Sequence, residues 1–266
     1  MTFRFASRSQ ALAAAAFGVL MLAAAAPVRA DLADTLPRVK PSVVAVGTYQ
    51  RTRSPAFRFL GTGFAVGSGR LIATNAHVVP ENIATGQMEA LVVVVPVPGS
   101  EQMGAVRPVT RAGVDRNRDL AVLRLDDAGA ALPALELGHG GGVREGMAVA
   151  FTGFPIGNAL GVIPVTHRGI ISAITPIGIP QGNARDLNPA LVRRLSGEVF
   201  RVYQLDATAY PGNSGSPLFD PATGAVLGVL NMVFVKSTKE AVLSDPSGIS
   251  YAIPVEHLRT LLSGLE

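Results

Sequence analysis

The chain has no cysteine among its 266 residues. That excludes disulfides, thiolate metal sites and a lipoprotein-type anchor, so the core must hold the fold unaided. Charged residues are also scarce, at 16% against 48% hydrophobic, and a chain this apolar is not disordered in its main state. Histidine occurs only four times. No Arg-Arg pair stands near the N-terminus, which argues against a twin-arginine export signal, and no internal repeat is visible.

The first thirty residues differ in kind from the rest. Arg4 and Arg8 precede an apolar run from Ala11 to Ala26, and Pro27-Val28-Arg29-Ala30 follows. A charged start, an apolar centre and small residues at the −3 and −1 positions of a cut after Ala30 form a secretory signal. The run is too short and too rich in Ala to serve well as a membrane span. The expected mature protein is therefore exported, periplasmic or secreted, without stable membrane insertion. The leader holds three of the 23 basic residues and no acid, which leaves 20 basic against 19 acidic residues, a net charge of +1 rather than +4. A nucleic-acid or polyanion partner has little support at that balance.

Residues 31–266 alternate short Val/Ile/Leu runs with turns drawn from most of the chain's 29 glycines and 19 prolines. Strands are predicted at 43–49, 58–66, 70–74, 90–95, 105–109, 120–125, 147–152, 168–174, 199–206, 217–219, 225–235 and 249–253. This density of short strands indicates an all-β sandwich or barrel. Helical spacing is confined to 254–264, where Pro254 suits a helix start, and to a stretch near 187–195. The segment 128–146 is the best candidate for a crossing between two halves.

The run YPGNSGSPLF, 210–219, could be an ordinary surface turn or a loop that exposes a serine and aims backbone N–H groups at one point. Singly, each of His77, His139, His167 and His257 is more often a core or surface residue than a catalyst, and Asp119 alone reads as a turn residue. Context separates two of them: His77 closes the β-run LIATNAHVV, and Asp119 immediately precedes the apolar LAVLRL. Acyl transfer needs a serine, an imidazole to take its proton, a carboxylate to hold that imidazole, and backbone donors for the oxyanion. Gly212 and Asn213 before Ser214 let the N–H groups of Gly212, Asn213 and Ser214 converge, whereas Ser216 falls on the following strand. No cofactor and no metal is called for by this chemistry.

At these residues the chain resembles a known family. TNAHVV, NRDLAVLRL and GNSGSPLF, in that order, are similar to the chymotrypsin-like serine peptidases, specifically the bacterial HtrA/Deg group. The resemblance runs from about Val39 to the end and includes RVKPSVVAVG, GTGFAV, GFPIG, GIISAI and DPSGISYAIP. It implies His77 as general base, Asp119 as its orienting acid and Ser214 as nucleophile. The oxyanion hole would be formed by Gly212 and Ser214, with Asn213 able to flip in or out. It also implies a polypeptide substrate and two perpendicular six-stranded β-barrels, the first at about 40–130 and the second at about 140–253, followed by the helix 254–264. The base of the specificity pocket would be shaped by Ala209 and its wall by Leu230, Asn231 and Met232. No Asp occupies the Ala209 position, so small or medium apolar P1 residues are expected rather than Lys or Arg. Glutamyl endopeptidases of the same fold place a His where this chain has Leu230. A role in protein quality control and a trimeric state are common in the family, although Asp31 to Lys40 lacks the aromatic contacts a trimer would use. Ser216 stands where the group usually has Gly. The chain stops where a PDZ domain normally follows, so a protease domain without PDZ is expected. Thr175 to Glu198 is longer than the pattern requires.

Two other readings compete. HGGG, His139 to Gly142, together with Ser214, Asp245 and His257 in that order, is the arrangement of a lipase-type α/β-hydrolase. That fold needs repeated strand–helix alternation, and its elbow is G-x-S-x-G where this chain has Gly212-Asn213-Ser214-Gly215-Ser216. The other is a catalytically silent peptide-binding or chaperone-like module on the barrel fold.

Overall fold

The computed structural model describes residues 31–97, 99–100, 104–155, 162–176, 200–231 and 248–265. The leader, the stretch near 187–195, nearly all of the 175–198 segment, Met232 and Asp245 lie outside the described residues. Twelve strands form two closed, six-stranded antiparallel barrels. The first contains β1 (Val43–Tyr49), β2 (Phe57–Val66), β3 (Leu71–Thr74), β4 (Ala90–Val95), β5 (Ala105–Asp115) and β6 (Leu120–Leu125). The second contains β7 (Ala148–Gly153), β8 (Val165–Pro176), β9 (Arg201–Asp206), β10 (Pro217–Phe219), β11 (Val226–Asn231) and β12 (Ile249–Pro254). Strand order is β1-β2-β3-β6-β5-β4 in one and β7-β8-β9-β12-β11-β10 in the other, so the two wind identically. The sequence shows no trace of this repeat, because each barrel asks only for apolar residues at alternating positions, which many sequences satisfy.

Several runs read as continuously apolar, and the packing explains why. Along β1, Val44 and Val46 pack within the first barrel, while Val43 and Ala45 join a core shared with the second barrel and the helices. β3 and β6 divide in the same way, with Ile72 and Leu123 inside and Ala73 and Val122 in the shared core. In the second barrel, Val149, Phe151, Leu218 and Leu230 form the interior, while Ala150, Phe219 and Val229 turn to the shared core. Strands buried on both faces lose the alternating pattern in sequence but keep it in space.

Two strands exceed their expected bounds. β5 continues from 109 to Asp115 through an irregularity between Arg111 and Gly113, and β8 starts at Val165. Bulges of this kind let a long strand bend around a closed barrel. One element went unanticipated: α1 (Leu32–Val39), an eight-residue helix whose Asp31 and Asp34 make a reciprocal cap. Pro37 reads as a breaker, but tertiary contacts override it. Val39 is buried in the shared core, and Thr35 Oγ1 donates to Ala222 O at 3.3 Å. The C-terminal helix α2 (Val255–Leu262) follows β12 directly and buries Val255, Leu258 and Leu262.

The chain between β6 and β7 touches both barrels. Leu135 N–H donates to Ala65 O on the first at 2.9 Å, and Gly138 N–H donates to Val226 O on the second at 2.7 Å. Arg259 of α2 donates to the carbonyls of Leu137 and Gly138 and clamps the crossing to the helix.

Candidate active site

β3 ends at Thr74, and the chain turns through Asn75 into a single helical turn, Ala76–Val78. The register of β3 against β6 sets Thr74 opposite Ala121. His77 and Asp119 therefore lie just past the same end of one strand pair. Asp119 has φ 54°, the left-handed region that Asp tolerates better than most residues. In that conformation its carbonyl accepts from Ala76 N–H at 3.1 Å and from Asn75 Nδ2 at 3.0 Å. Its carboxylate accepts from the His77 backbone N–H at 2.8 Å through Oδ1 and meets His77 Nδ1 at 2.6 Å through Oδ2. A carboxylate only accepts, so Nδ1 carries the proton, and Nε2 is left as the basic nitrogen. The imidazole is 33% exposed and the carboxylate 12%, so the base fronts the cleft with the acid behind it.

A third residue completes this group. Asn231 Nδ2 donates to Asp119 Oδ2 at 2.7 Å, and both side chains are buried. Asn231, expected at the wall of the specificity pocket, turns its side chain to the acid instead of into the barrel. Successive strand residues face opposite ways, so Leu230 enters the second barrel's interior while Asn231 turns to the acid. No motif in the sequence marked this role, because the contact joins residues 112 apart.

The serine loop is two tight turns in succession. Asn213 N–H donates to Tyr210 O at 3.0 Å across Pro211 and Gly212, and Gly212 has φ 104°. Ser216 N–H donates to Asn213 O at 3.0 Å across Ser214 and Gly215, and Gly215 has φ 87°. Each has the type II pattern, which requires a positive φ at the third position. Among the described residues, the N–H groups of Gly212 and Ser214 have no acceptor. The Asn213 N–H is occupied inside the first turn, so two of these three N–H groups stand open.

Thr62 of β2 fastens this loop to the first barrel. Its N–H donates to Ser214 O at 2.8 Å and its Oγ1 donates to Gly212 O at 2.7 Å. The same Oγ1 accepts from Phe154 N–H at 3.1 Å, and Thr62 O accepts from Thr74 Oγ1 at 2.6 Å. The sequence marked this position only as part of GTGFAV and gave it no role. A hydroxyl between two glycines in an apolar strand is the one signal it carries. Gly61 brings the two halves of the site together: a Cβ there would lie 2.7 Å from Val78 Cγ2 and 3.1 Å from Ser214 O. No hydrogen bond joins His77 to Ser214 among the described residues. In ligand-free enzymes such bonds are commonly long and tighten with substrate.

Around Ser214, Ala209 and Leu230 are fully enclosed in the second barrel's interior beside Phe151. Ser216 is buried on β10's approach, and its Oγ has no hydrogen-bond partner among the described residues. HGGG is a turn on the crossing segment, with Gly140 packed against the Glu256 carboxylate of α2. His257 lies on α2 with its ring 5.1 Å from that of Phe200. Closed antiparallel barrels exclude the α/β-hydrolase arrangement. Among the described residues, no cluster of His, Asp and Glu could hold a metal ion, and no helix is long and apolar enough to cross a membrane.

Two closed six-stranded barrels, with a His–Asp couple from one and a tightly turned serine loop from the other, are the architecture of the chymotrypsin-like peptidases. Residues 61–229 match the trypsin-like peptidase domain, and the chain belongs to that family. It is similar to the human serine protease HTRA3, 30% identical over 237 residues, which cover 87% of this chain and 44% of that protein. It is likewise similar to the mitochondrial serine protease HTRA2 of Drosophila pseudoobscura pseudoobscura, 32% identical over 206 residues, 76% of this chain and 38% of that protein. A relative from Halomonas elongata, named among the DegP-like periplasmic serine endoproteases, is 33% identical over 200 residues, 75% of this chain and 33% of its own. The chain thus spans less than half the length of these curated relatives. Among solved structures it superposes on the HtrA-type protease AlgW with a decapeptide at a TM-score of 0.62 and 26% identity, covering 88% of this chain and 67% of that one.

Proposed function

We propose that the chain is an exported serine endopeptidase acting through His77, Asp119 and Ser214. The observation that carries this reading is the hydrogen-bonded chain His77–Asp119–Asn231, with the imidazole at the cleft and the other two buried, next to a serine loop whose Gly212 and Ser214 N–H groups lack acceptors among the described residues. Ser214 Oγ attacks the scissile carbonyl as His77 Nε2 takes its proton, and Asp119 steadies the imidazolium through Nδ1–H. The oxyanion that forms meets the two N–H groups, each worth about 2.7–4 kcal/mol at a preorganised site. His77 then gives its proton to the departing amine, and water hydrolyses the acyl-enzyme by the same route in reverse.

The polypeptide substrate is supported by membership of a peptidase family and by the peptide in the AlgW structure. The enclosed, uncharged Ala209 and Leu230 favour small or medium P1 side chains with apolar bodies over Lys or Arg. The leader pattern and the periplasmic relative support export to the periplasm or beyond, and a role in protein quality control is carried by the resemblance to the HtrA group alone. One observation favours a second reading, a silent peptide-binding module: no hydrogen bond links His77 to Ser214. Treating the protein with a serine-directed phosphonate separates the two. A mass adduct on Ser214 is expected; an adduct on another serine, or none with peptide present, would overturn the peptidase reading.

A further inference from the structure

The turn that delivers Asp119 is gripped through the residue before it. Residues 116–119 join β5 to β6, whose ends pair Asp115 with Leu120. Asp115 holds Arg118 at two points: Oδ1 accepts from the Arg118 backbone N–H at 3.0 Å, and Oδ2 accepts from Nη1 at 3.0 Å. Both side chains are mostly shielded, at 25% and 21% exposure. The guanidinium lies over the ring of Phe200, with 6.0 Å from Cζ to the ring centroid. Phe200 belongs to the other half of the molecule. It stands just ahead of β9 and is buried in the core that both barrels share. Its ring makes a T-shaped contact with that of His257 on α2, 5.1 Å between centroids.

An ion pair kept only to close the turn would need no contact with the second barrel. A planar cation, bonded to a carboxylate and laid against an aromatic face, is what arginine supplies and lysine does not. Position gives the contact its use. Asp119 follows directly, in a left-handed conformation that a residue other than glycine holds only where its surroundings fix it. Its Oδ2 has to reach His77 Nδ1 on the first barrel and Asn231 Nδ2 on the second, at 2.6 and 2.7 Å. A turn attached to one barrel alone would have no fixed depth against the other. We propose that Arg118 is a positioning residue for Asp119. Held by Asp115 and seated on Phe200, it sets the depth at which the turn meets the second barrel and so keeps the Asp119 carboxylate aligned on the imidazole. This rests on the peptidase reading, in which Asp119 orients the base, and adds the residue that orients Asp119.

The test is a double-mutant cycle on turnover per active enzyme, with active sites counted by phosphonate labelling of Ser214 and folding checked by circular dichroism. Arg118→Met keeps the length of the side chain and removes the planar cation. It should lower kcat about tenfold with KM within about twofold, because a misaligned acid costs rate rather than binding. Asp119→Asn is expected to leave about a ten-thousandth of turnover. In that background Arg118→Met should cost nothing more, since a residue that acts through Asp119 has nothing left to position. Phe200→Leu removes the aromatic face without touching the turn and should give the same two results; it also serves if the Arg118 variant folds poorly. An unchanged kcat in Arg118→Met, or the same loss repeated in the Asp119→Asn background, would overturn the assignment while leaving the peptidase standing. A wild-type protein that cleaves no peptide and takes no phosphonate on Ser214 would overturn both.

Discussion

Thr62 shows how much of the site depends on single atoms outside the proposed triad. Its Oγ1 links β2 to the Gly212 carbonyl, and it also accepts from the Phe154 N–H. Thr62→Val keeps the shape but leaves that carbonyl and that N–H buried without partners, at about 1–3 kcal/mol each. The loop should then lose its fixed pitch: kcat should fall about tenfold or more with KM little changed, and Thr62→Ser should restore most of it. An unchanged kcat in Thr62→Val would remove Thr62 from the machinery. Ser214→Ala should lower turnover about 10⁴-fold with the fold intact. Ser216→Ala should behave in the opposite way. Its Oγ is buried without a partner, so removing it should retain most activity and leave stability equal or higher, read by steady-state kinetics and urea unfolding. The roles proposed for His77 and Ser214 follow from residue type and order. Those of Thr62 and Asn231 do not, because each acts across more than 100 residues of chain.

At the scale of elements, the serine loop is held by backbone geometry as much as by side chains. Gly215 combines φ 87° with near contact to β2: an added Cβ would overlap the Thr62 carbonyl oxygen and lie 2.5 Å from Thr74 Oγ1. Gly215→Ala must therefore either strain the turn or push the loop off β2. It should cost about 2–4 kcal/mol of stability and abolish most activity, with phosphonate labelling of Ser214 slowed in parallel. A variant with wild-type labelling rates would show that the loop tolerates displacement. The glycines around Ser214 announced a turn in the sequence, and the two-turn form fits that composition. The number of donors it offers was not legible, because an N–H satisfied three residues back looks the same in sequence as one left open. The helix α1 was missed for a related reason: Pro37 within it reads as a breaker, and its docking on the second barrel through Thr35 and Val39 is not visible in sequence.

The whole molecule is tied together by the segment that crosses between the barrels, and acid tests one of its anchors. Asp127, at its start, accepts from Arg107 Nε at 2.7 Å, and Arg107 also donates to Ala130 O at 2.8 Å. The hydrogen bond from Arg107 is the main cause holding the Asp127 pKa below its ordinary 3.8. A carboxylate with a depressed folded-state pKa adds stability above its unfolded value and loses it as pH falls below. Urea midpoints should therefore drop as pH is lowered through about 4 and beyond, and Asp127→Asn should flatten part of that drop, about 1 kcal/mol for a partly exposed pair. An acid limb identical in the variant would show that the anchor carries no linked stability.

The sequence by itself determined the class of fold and the chemistry. Periodic apolar runs broken by Gly and Pro can bury themselves only as short strands, and a His, an Asp and a glycine-flanked Ser in that order leave few other uses. Closure into two barrels with one winding, the meeting of His77, Asp119 and Asn231, and the hold of Thr62 on the serine loop were decided by tertiary structure alone. The physical reason is range. Strand propensity and turn type depend on neighbours a few residues away, whereas a hydrogen bond between β11 and the turn before β6 exists only once both barrels have closed.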